Sequence, residues 1–400
     1  MEPLGRHEEH FWPSEPEAYG TGRARRGGIY KPFVPAPIAG LAFPFSDAAN
    51  TSVGAAAKAL FRLTEDPPRL AKLGSVAQNL LRSESVASSR IEGVAISHKR
   101  LARAEYEGIG RADGKAAEVL GNVEAMQKAI ALAEKPTAFE VDDILEIHRT
   151  LLCHTEDRDI AGVVREKQNW IGGNDYNPVG ATYVPPPPAY VPGLLEDLCR
   201  FIERVDLPPV AQAAIAHAQF ENIHPFADGN GRTGRALIYA ILRRREEIGS
   251  YVPPISLVLA ARPKTYVNGF GAYSGGDISS WCEMFAEATR RAAEAAHGFA
   301  GSIEGRQQDW LGRLGQPRGD AVVRQLVAIL PEQPVIDVPT GQRITAKSHV
   351  AVGNAIRQLE EAGILKPLNE RKWGRGWECD ELLDLVDEFE QSLAAPPAVR

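Results

Sequence analysis

Residues 224–235 read His-Pro-Phe-Ala-Asp-Gly-Asn-Gly-Arg-Thr-Gly-Arg and run directly into the apolar stretch 236–242. Asp228-Gly229-Asn230-Gly231 is a strong turn signal, and the periodicity after it predicts a helix. A glycine-built turn just ahead of a helix turns several backbone N–H groups outward. With the positive end of the helix dipole they form an anion site suited to phosphates. Arg232 and Arg235 are three apart, so both project from one side of the first turn and can clamp further phosphate oxygens. Asp228 offers the hard carboxylate that a Mg²⁺ ion takes beside substrate phosphates. His224, at the entrance of the loop, carries an imidazole, a group whose unperturbed pKa of about 6.5 suits it to accept a hydroxyl proton near neutral pH. A lone His beside Pro and Phe is more often a packed residue, and a lone Gly-Asn-Gly is usually only a turn. Base, carboxylate, glycine turn and paired arginines in one short segment are costly to bury without a ligand, so the phosphate reading is preferred.

Working outward, apolar residues recur at helical spacing over 50–88, interrupted by Pro67-Pro68, then over 115–134, 141–152, 192–205 and 210–223. Helix is expected again over 232–247 and 278–300. The interval 171–192 holds Gly172-Gly173-Asn174-Asp175, Asn177-Pro178 and the 185–188 proline run, which demands a loop or short hairpin. Residues 27–46, rich in Gly, Pro and aromatics, read as an extended arm on a later domain. Beyond a polar stretch at 301–319 come helical patterns at 321–330, 348–362 and 381–393, with a two-stranded wing at 366–378. The fold class expected is mainly α: an all-helical core with a short β-hairpin flap, and a small α+β unit at the C-terminus. The domain plan is a flexible tail (1–30), an N-terminal helical region (31–114), a helical core that holds the motif (115–300), a linker (301–319) and a C-terminal module (320–395).

Composition narrows the class. The 400 residues are 44% hydrophobic and 24% charged, which fits a globular chain with more than one folded unit. No apolar run approaches the length of a membrane span, and the charged N-terminus has no signal-type core. Cys153, Cys199, Cys282 and Cys379 are scattered without CxxC or Cys/His metal spacing, which points to a reducing, cytoplasmic setting. A net charge of -7 offers no whole-protein attraction to nucleic acid or acidic lipid, so a DNA contact needs a local patch.

At 224–235 the chain resembles the Fic family motif, His-x-Phe-x-Asp/Glu-Gly-Asn-Gly-Arg-x-x-Arg, at every fixed position. The lead-in 216–223, Ile147-His148, Ala161-Gly162 with Arg165, Trp170-Ile171-Gly172, Val184-Pro185-Pro186 and Gly276-Asp277-Ile278 are similar to the family as well, so the resemblance covers 115–300. It implies transfer of AMP from ATP to a Ser, Thr or Tyr hydroxyl of a protein, the chain itself included, with pyrophosphate released. His224 would be the general base and Asp228 the Mg²⁺ ligand. Gly229, Asn230 and Gly231 would hold the α- and β-phosphates, and Arg232 and Arg235 the β- and γ-phosphates. Phe226, Thr233 and Gly234 complete the nucleotide-binding set. The 171–188 segment resembles the family flap, which aligns a target by strand addition. Tyr266 and Ser274 fall at the family's nucleoside contacts. Here Val267 follows Tyr266, and Ser274 stands where relatives carry an amide, so UMP, phosphocholine or phosphate donors stay open beside ATP.

Ser88 and Glu92 are four apart on one helix face, with Gly93 a C-cap. As a bare pattern this is a solvated helix end. Beside a Fic core it resembles the family's inhibitory motif, which implies a Glu92–Arg235 salt bridge that blocks the γ-phosphate. Glu92 orienting water to remove AMP is a related alternative. The C-terminal module resembles a winged helix-turn-helix. Lys347, His349, Arg357, Arg371, Lys372 and Arg375 supply positive charge, and Glu360, Glu361 and Glu370 dilute it. DNA binding and homodimer packing or target recruitment are equally compatible with that balance. A transcriptional regulator with a nucleotide-sensing Fic domain is therefore the reading that competes with the enzyme.

Overall fold

The computed structural model describes residues 2–14, 22, 25–65, 74–249, 251–368 and 375–394. Among these the helices are α1 (Asp47–Glu65), α2 (Gly74–Ile91), α3 (His98–Glu107), α4 (Gly114–Ala133), α5 (Val141–Leu152), α6 (Val191–Ile202), α7 (Pro209–Ile223) and α8 (Asn230–Arg244). They continue with α9 (Ile255–Ala260), α10 (Pro263–Ser274), α11 (Ile278–Arg313), α12 (Val322–Ile329), α13 (Val338–Thr345), α14 (His349–Glu361) and α15 (Asp380–Ala394). The strands are two or three residues long, so the protein is mainly α, as its periodicity predicts. No helix among the described residues is long and apolar enough to cross a membrane.

The chain divides into two compact units, each assembled from separated segments. The first comprises Met1–Ala55, Glu124–Glu246 and Pro263–Glu287; the second comprises Ala56–Val123, Glu247–Arg262 and Ala288–Arg400.

At the centre of the first unit, α7 is buried on nearly every side, polar Gln212, His217 and Gln219 included. A helix with no solvent face has no amphipathic stripe, and its polar side chains must find internal partners. Gln212 does so through Nε2, which donates to the carbonyls of Phe201, Ile202 and Arg204 at 2.9–3.0 Å. Helix α8 packs against α7, and the short loop between the two carries the motif.

Within the stretch expected to be a flexible tail, the described residues include three short strands. β1 (Gly5–His7) pairs antiparallel with β4 (Phe33–Pro35), and β2 (His10–Trp12) with β3 (Gly28–Tyr30). Ring contacts across the pairs, His7 with Phe33 and Trp12 with Tyr30, bury apolar surface that an isolated segment would expose. The arm that follows lies on the first unit, as expected: Phe33 N–H reaches the Val184 carbonyl at 2.8 Å, and Gln219 Nε2 donates to the Ala36 carbonyl at 2.9 Å. The expected flap hairpin is reduced to a single antiparallel bridge, Ile171 with Tyr183.

In the second unit, α2 buries a polar face. Asn79, Arg82, Ser83, Glu84, Ser85, Ser88 and Ser89 are all at most 5% exposed. Asn122 Nδ2 donates to the Ser85 carbonyl and to Ser89 Oγ, and Ser256 N–H donates to Glu84 at 2.8 Å. The stretch expected to be a linker is helical to Arg313. Ile303, Trp310 and Leu311 recur on one buried face of α11, and that burial outweighs the propensity cost of Gly301, Gly305 and Gly312. At the C-terminal end, α12, α13 and α14 accompany a three-stranded antiparallel sheet of order β5 (Val335–Asp337), β7 (Gly376–Glu378), β6 (Lys366–Pro367). Lys347, His349 and Arg357 are exposed, while Arg375 lies over the Trp377 ring and 3.6 Å from Glu360. Glu370, Arg371 and Lys372 fall outside the described residues.

Candidate functional site

The loop between α7 and α8 is built by two left-handed residues. His224 caps α7 at φ 49°, ψ 60°, and Gly229 caps the start of α8 at φ 75°. A left-handed conformation costs a non-glycine residue about 1–2 kcal/mol, so the surroundings must hold His224 in place. They do so at both ends of its peptide. Its N–H donates to the Phe220 carbonyl at 2.9 Å, and Arg165 Nε donates to its carbonyl at 2.8 Å. Arg165 is 6% exposed and also serves the Lys167 and Pro186 carbonyls, while its own N–H reaches the Pro225 carbonyl. Burial draws its pKa down to about 10.

A second brace holds the far side of the loop. Gly162 N–H donates to His148 Nδ1 at 2.9 Å, which leaves the ring proton on Nε2 to donate to the Asp228 carbonyl at 3.0 Å. The His148 ring is stacked on Phe226 with centroids 3.6 Å apart and planes 3° from parallel. Burial lowers its pKa to about 4, so it stays neutral. A Cβ on Gly229 would meet His148 Nε2 at 3.2 Å and Leu151 Cδ2 at 3.1 Å.

Asn230 closes the loop on itself. Its Oδ1 accepts from Phe226 N–H at 2.9 Å and its Nδ2 donates to the Phe226 carbonyl at 2.8 Å. With the side chain so engaged, it is the backbone N–H of Asn230 that a ligand could use. That group and the N–H of Gly231 belong to the first helical turn, where no helical acceptor exists.

The predicted residues thus separate by role. Asp228 is half exposed and pairs with Arg232 Nη2 at 2.8 Å; the Arg232 side chain is 5% exposed and Arg235 is 1% exposed. Phe226 and Thr233 are fully buried. Gly234 serves helix packing: a Cβ there would lie 2.6 Å from Glu221 Oε1 and 2.9 Å from Phe220 Cδ1. Tyr266 is 3% exposed, with its hydroxyl 2.7 Å from His217 Nε2. Ser274 Oγ accepts from Asn222 Nδ2 at 2.9 Å and donates to the Phe270 carbonyl at 2.8 Å. Both side chains therefore brace α7. One carboxylate beside a phosphate-type turn suits Mg²⁺, which takes one or two protein carboxylates and completes its shell with phosphate and water oxygens.

The flap base is tied to the same loop. Tyr183 hydroxyl donates to the Asn222 carbonyl at 2.6 Å, and Asn169 Nδ2 to the Phe226 carbonyl at 3.0 Å. Asn174 Oδ1 accepts from the N–H groups of Tyr176 and Asn177, a side-chain turn that replaces ladder bonds. Ile171 and Tyr176 are 46% and 43% exposed on this segment. Ser88 and Glu92 belong to the second unit. Ser88 is fully buried, Glu92 is exposed, and Gly93 takes the expected left-handed cap at φ 84°.

Comparison with known proteins points to one family. Residues 138–242 match the profile of the Fic/DOC family, and 50–131 that of the Fic/DOC family N-terminal region. Protein adenylyltransferase Fic of Drosophila melanogaster is 31% identical over 177 residues, 44% of this chain and 33% of that protein. The Drosophila willistoni protein of the same name is 32% identical over 177 residues, 44% of this chain and 32% of its own length. The chain thus spans about a third of the length of these curated relatives. A Fic family protein from Desulfovibrio desulfuricans G20 shares the fold at TM-score 0.51 and 21% identity, covering 84% of this chain and 97% of that one.

Proposed function

The chain belongs to the Fic/DOC family, and on that premise we propose that it is a self-inhibited protein adenylyltransferase. It moves AMP from ATP to a side-chain hydroxyl of a protein. The observation that carries this reading is the braced loop itself: His224 is held in a strained left-handed conformation beside a helix start whose first-turn N–H groups and buried arginines suit a polyphosphate.

His224 takes the proton of the incoming hydroxyl, whose oxygen attacks the α-phosphorus. The bond to the bridging oxygen of pyrophosphate breaks, and the proton later passes from the imidazole to solvent. The N–H groups of Asn230 and Gly231, with Arg232 and Arg235, balance charge on the phosphates, so catalysis is positioning and electrostatics. Asp228 would hold Mg²⁺, which when bound would neutralise charge developing on the phosphates. The flap orients the target by main-chain pairing near Ile171. Glu92 is the brake, as the likeness to the family's inhibitory motif suggests: it denies the γ-phosphate its place and leaves the α-phosphate misaligned.

The test is labelling of the full chain with ATP carrying a tagged α-phosphate. Glu92→Gly should raise label on the protein, and adding His224→Ala should abolish it. A Glu92→Gly, His224→Ala protein that labels as strongly as Glu92→Gly alone sinks the enzyme reading. Intact-mass measurement of the labelled product then identifies the transferred group.

A further inference from the structure

In the second unit, α2 and α3 are fastened to the C-terminal segment by charged groups at several points. Arg82 Nη2 donates to the Glu332 carbonyl at 2.9 Å. On α3, Lys99 and Arg103 hold Glu378 at 2.7 and 2.8 Å, and the Glu378 side chain is 6% exposed. The fastening nearest the brake is made by Glu390 on α15. Its carboxylate takes Arg90 Nη2 at 3.0 Å and His98 Nε2 at 2.5 Å, with the Glu390 and His98 side chains 8% and 5% exposed.

The placement of this group is informative. Arg90 lies in the last turn of α2, two residues before Glu92, and His98 opens α3 on the other side of the connecting turn. One buried carboxylate therefore grips both flanks of the segment that carries Glu92. Helix α15 presents it from a fixed position: Phe389 stacks on Phe299 with centroids 4.4 Å apart, and Glu381 is bound by Trp310 and Arg313. Burial alone would raise the Glu390 pKa, but His98 and Arg90 hold it below the ordinary carboxylate value, so it is ionised. The last turn of a helix is its weakest part, because its carbonyls lack helical partners. An external anchor there decides how often the turn frays.

We propose that Glu390 is a positioning residue of the brake: from the C-terminal helix it fixes Arg90 and His98, and through them the end of α2 that carries Glu92. The inference rests on the self-inhibited reading above. It makes the C-terminal module a regulator in cis, so that whatever displaces α15 releases the enzyme.

The experiment places Glu390→Gln in the full chain, alone and combined with Glu92→Gly, and measures auto-labelling from ATP. Alone it should raise labelling about tenfold, the effect of losing roughly 1.4 kcal/mol of anchoring. With the brake already removed it should add nothing. Unchanged labelling in the single variant, or the same change in both backgrounds, overturns the proposal, because a general packing defect acts without regard to Glu92. If Glu390→Gln does not fold, Arg90→Ala, which removes a part-exposed partner, carries the same comparison. A Glu92→Gly protein no more active than the wild type defeats the brake itself and the proposal with it, and that outcome is visible before Glu390 is touched.

Discussion

Arg165 donates through Nε to the main-chain carbonyl of His224 at 2.8 Å while its Nη2 holds the Pro186 carbonyl at 2.6 Å. One guanidinium thereby ties the strained residue at the end of α7 to the exit of the flap. Lysine offers a single ammonium on a flexible stem and cannot serve these carbonyls from one plane. Arg165→Lys should keep ATP affinity near the parent value and lower the transfer rate about a hundredfold, as misplacement of a reacting group by about an ångström does. Calorimetry with ATP and single-turnover labelling, both in the Glu92→Gly background, separate the two effects. A lost ATP affinity with an unchanged rate would contradict the assigned role.

His148 makes stability depend on pH. Its folded pKa of about 4 lies below the ordinary 6.5, because burial penalises the charged ring. The unfolded chain therefore binds more protons between these values. The stabilisation is complete above pH 6.5 and is lost as pH falls toward 4, up to ~3 kcal/mol in all. His217, lowered to about 3 by burial and by Arg235, acts with the same sign. Melting temperatures measured from pH 7 to 4 should fall less steeply for His148→Gln than for the parent. Equal slopes would remove His148 from the account.

Two motif glycines should fail differently. Gly234→Ala drives a Cβ to 2.6 Å from Glu221 and 2.9 Å from Phe220, and overpacking of this kind costs about 1–3 kcal/mol. Its signature is a lowered melting temperature. Gly229→Ala adds left-handed strain of about 1–2 kcal/mol and presses on His148, which holds the Asp228 carbonyl. ATP binding should weaken there by more than it does in Gly234→Ala. Identical profiles for the pair would mean that both glycines serve packing alone.

These two glycines also show what the sequence could and could not convey. Helix α5 ends at the residues its apolar period marks, and α7 and α8 were anticipated to within a few positions because their patterns are long. The short helices α3, α9 and α13 span too few turns to show a period, while α10, as long as α5, buries only Tyr266 and Tyr273 and so carries no apolar stripe; none was anticipated. Gly234 was read as a ligand contact because motif spacing cannot tell a face turned toward phosphate from one turned toward α7. His148 and Arg165 were noticed, but their work was invisible. Their partners, the carbonyls of Asp228 and His224, lie 80 and 59 residues away, and backbone acceptors leave no mark on sequence.

Asn230 offers the sharpest test of the loop. Its amide fills both bonding positions of the Phe226 peptide, accepting at 2.9 Å and donating at 2.8 Å. Asn230→Ala removes both bonds and should destabilise the protein by about 1–3 kcal/mol, since the Phe226 groups are buried. Asn230→Asp keeps the acceptor, loses one donor and sets a negative charge at the helix start. That charge favours the helix dipole but repels a triphosphate. The aspartate variant also sets a buried carboxylate oxygen against the Phe226 carbonyl, so it should melt no higher than the alanine variant and bind ATP more weakly than either the parent or the alanine variant. Melting and calorimetry of the two variants in the Glu92→Gly background give the order. Were Asn230→Asp to bind ATP as tightly as the parent, the phosphates could not lie against the first turn of α8.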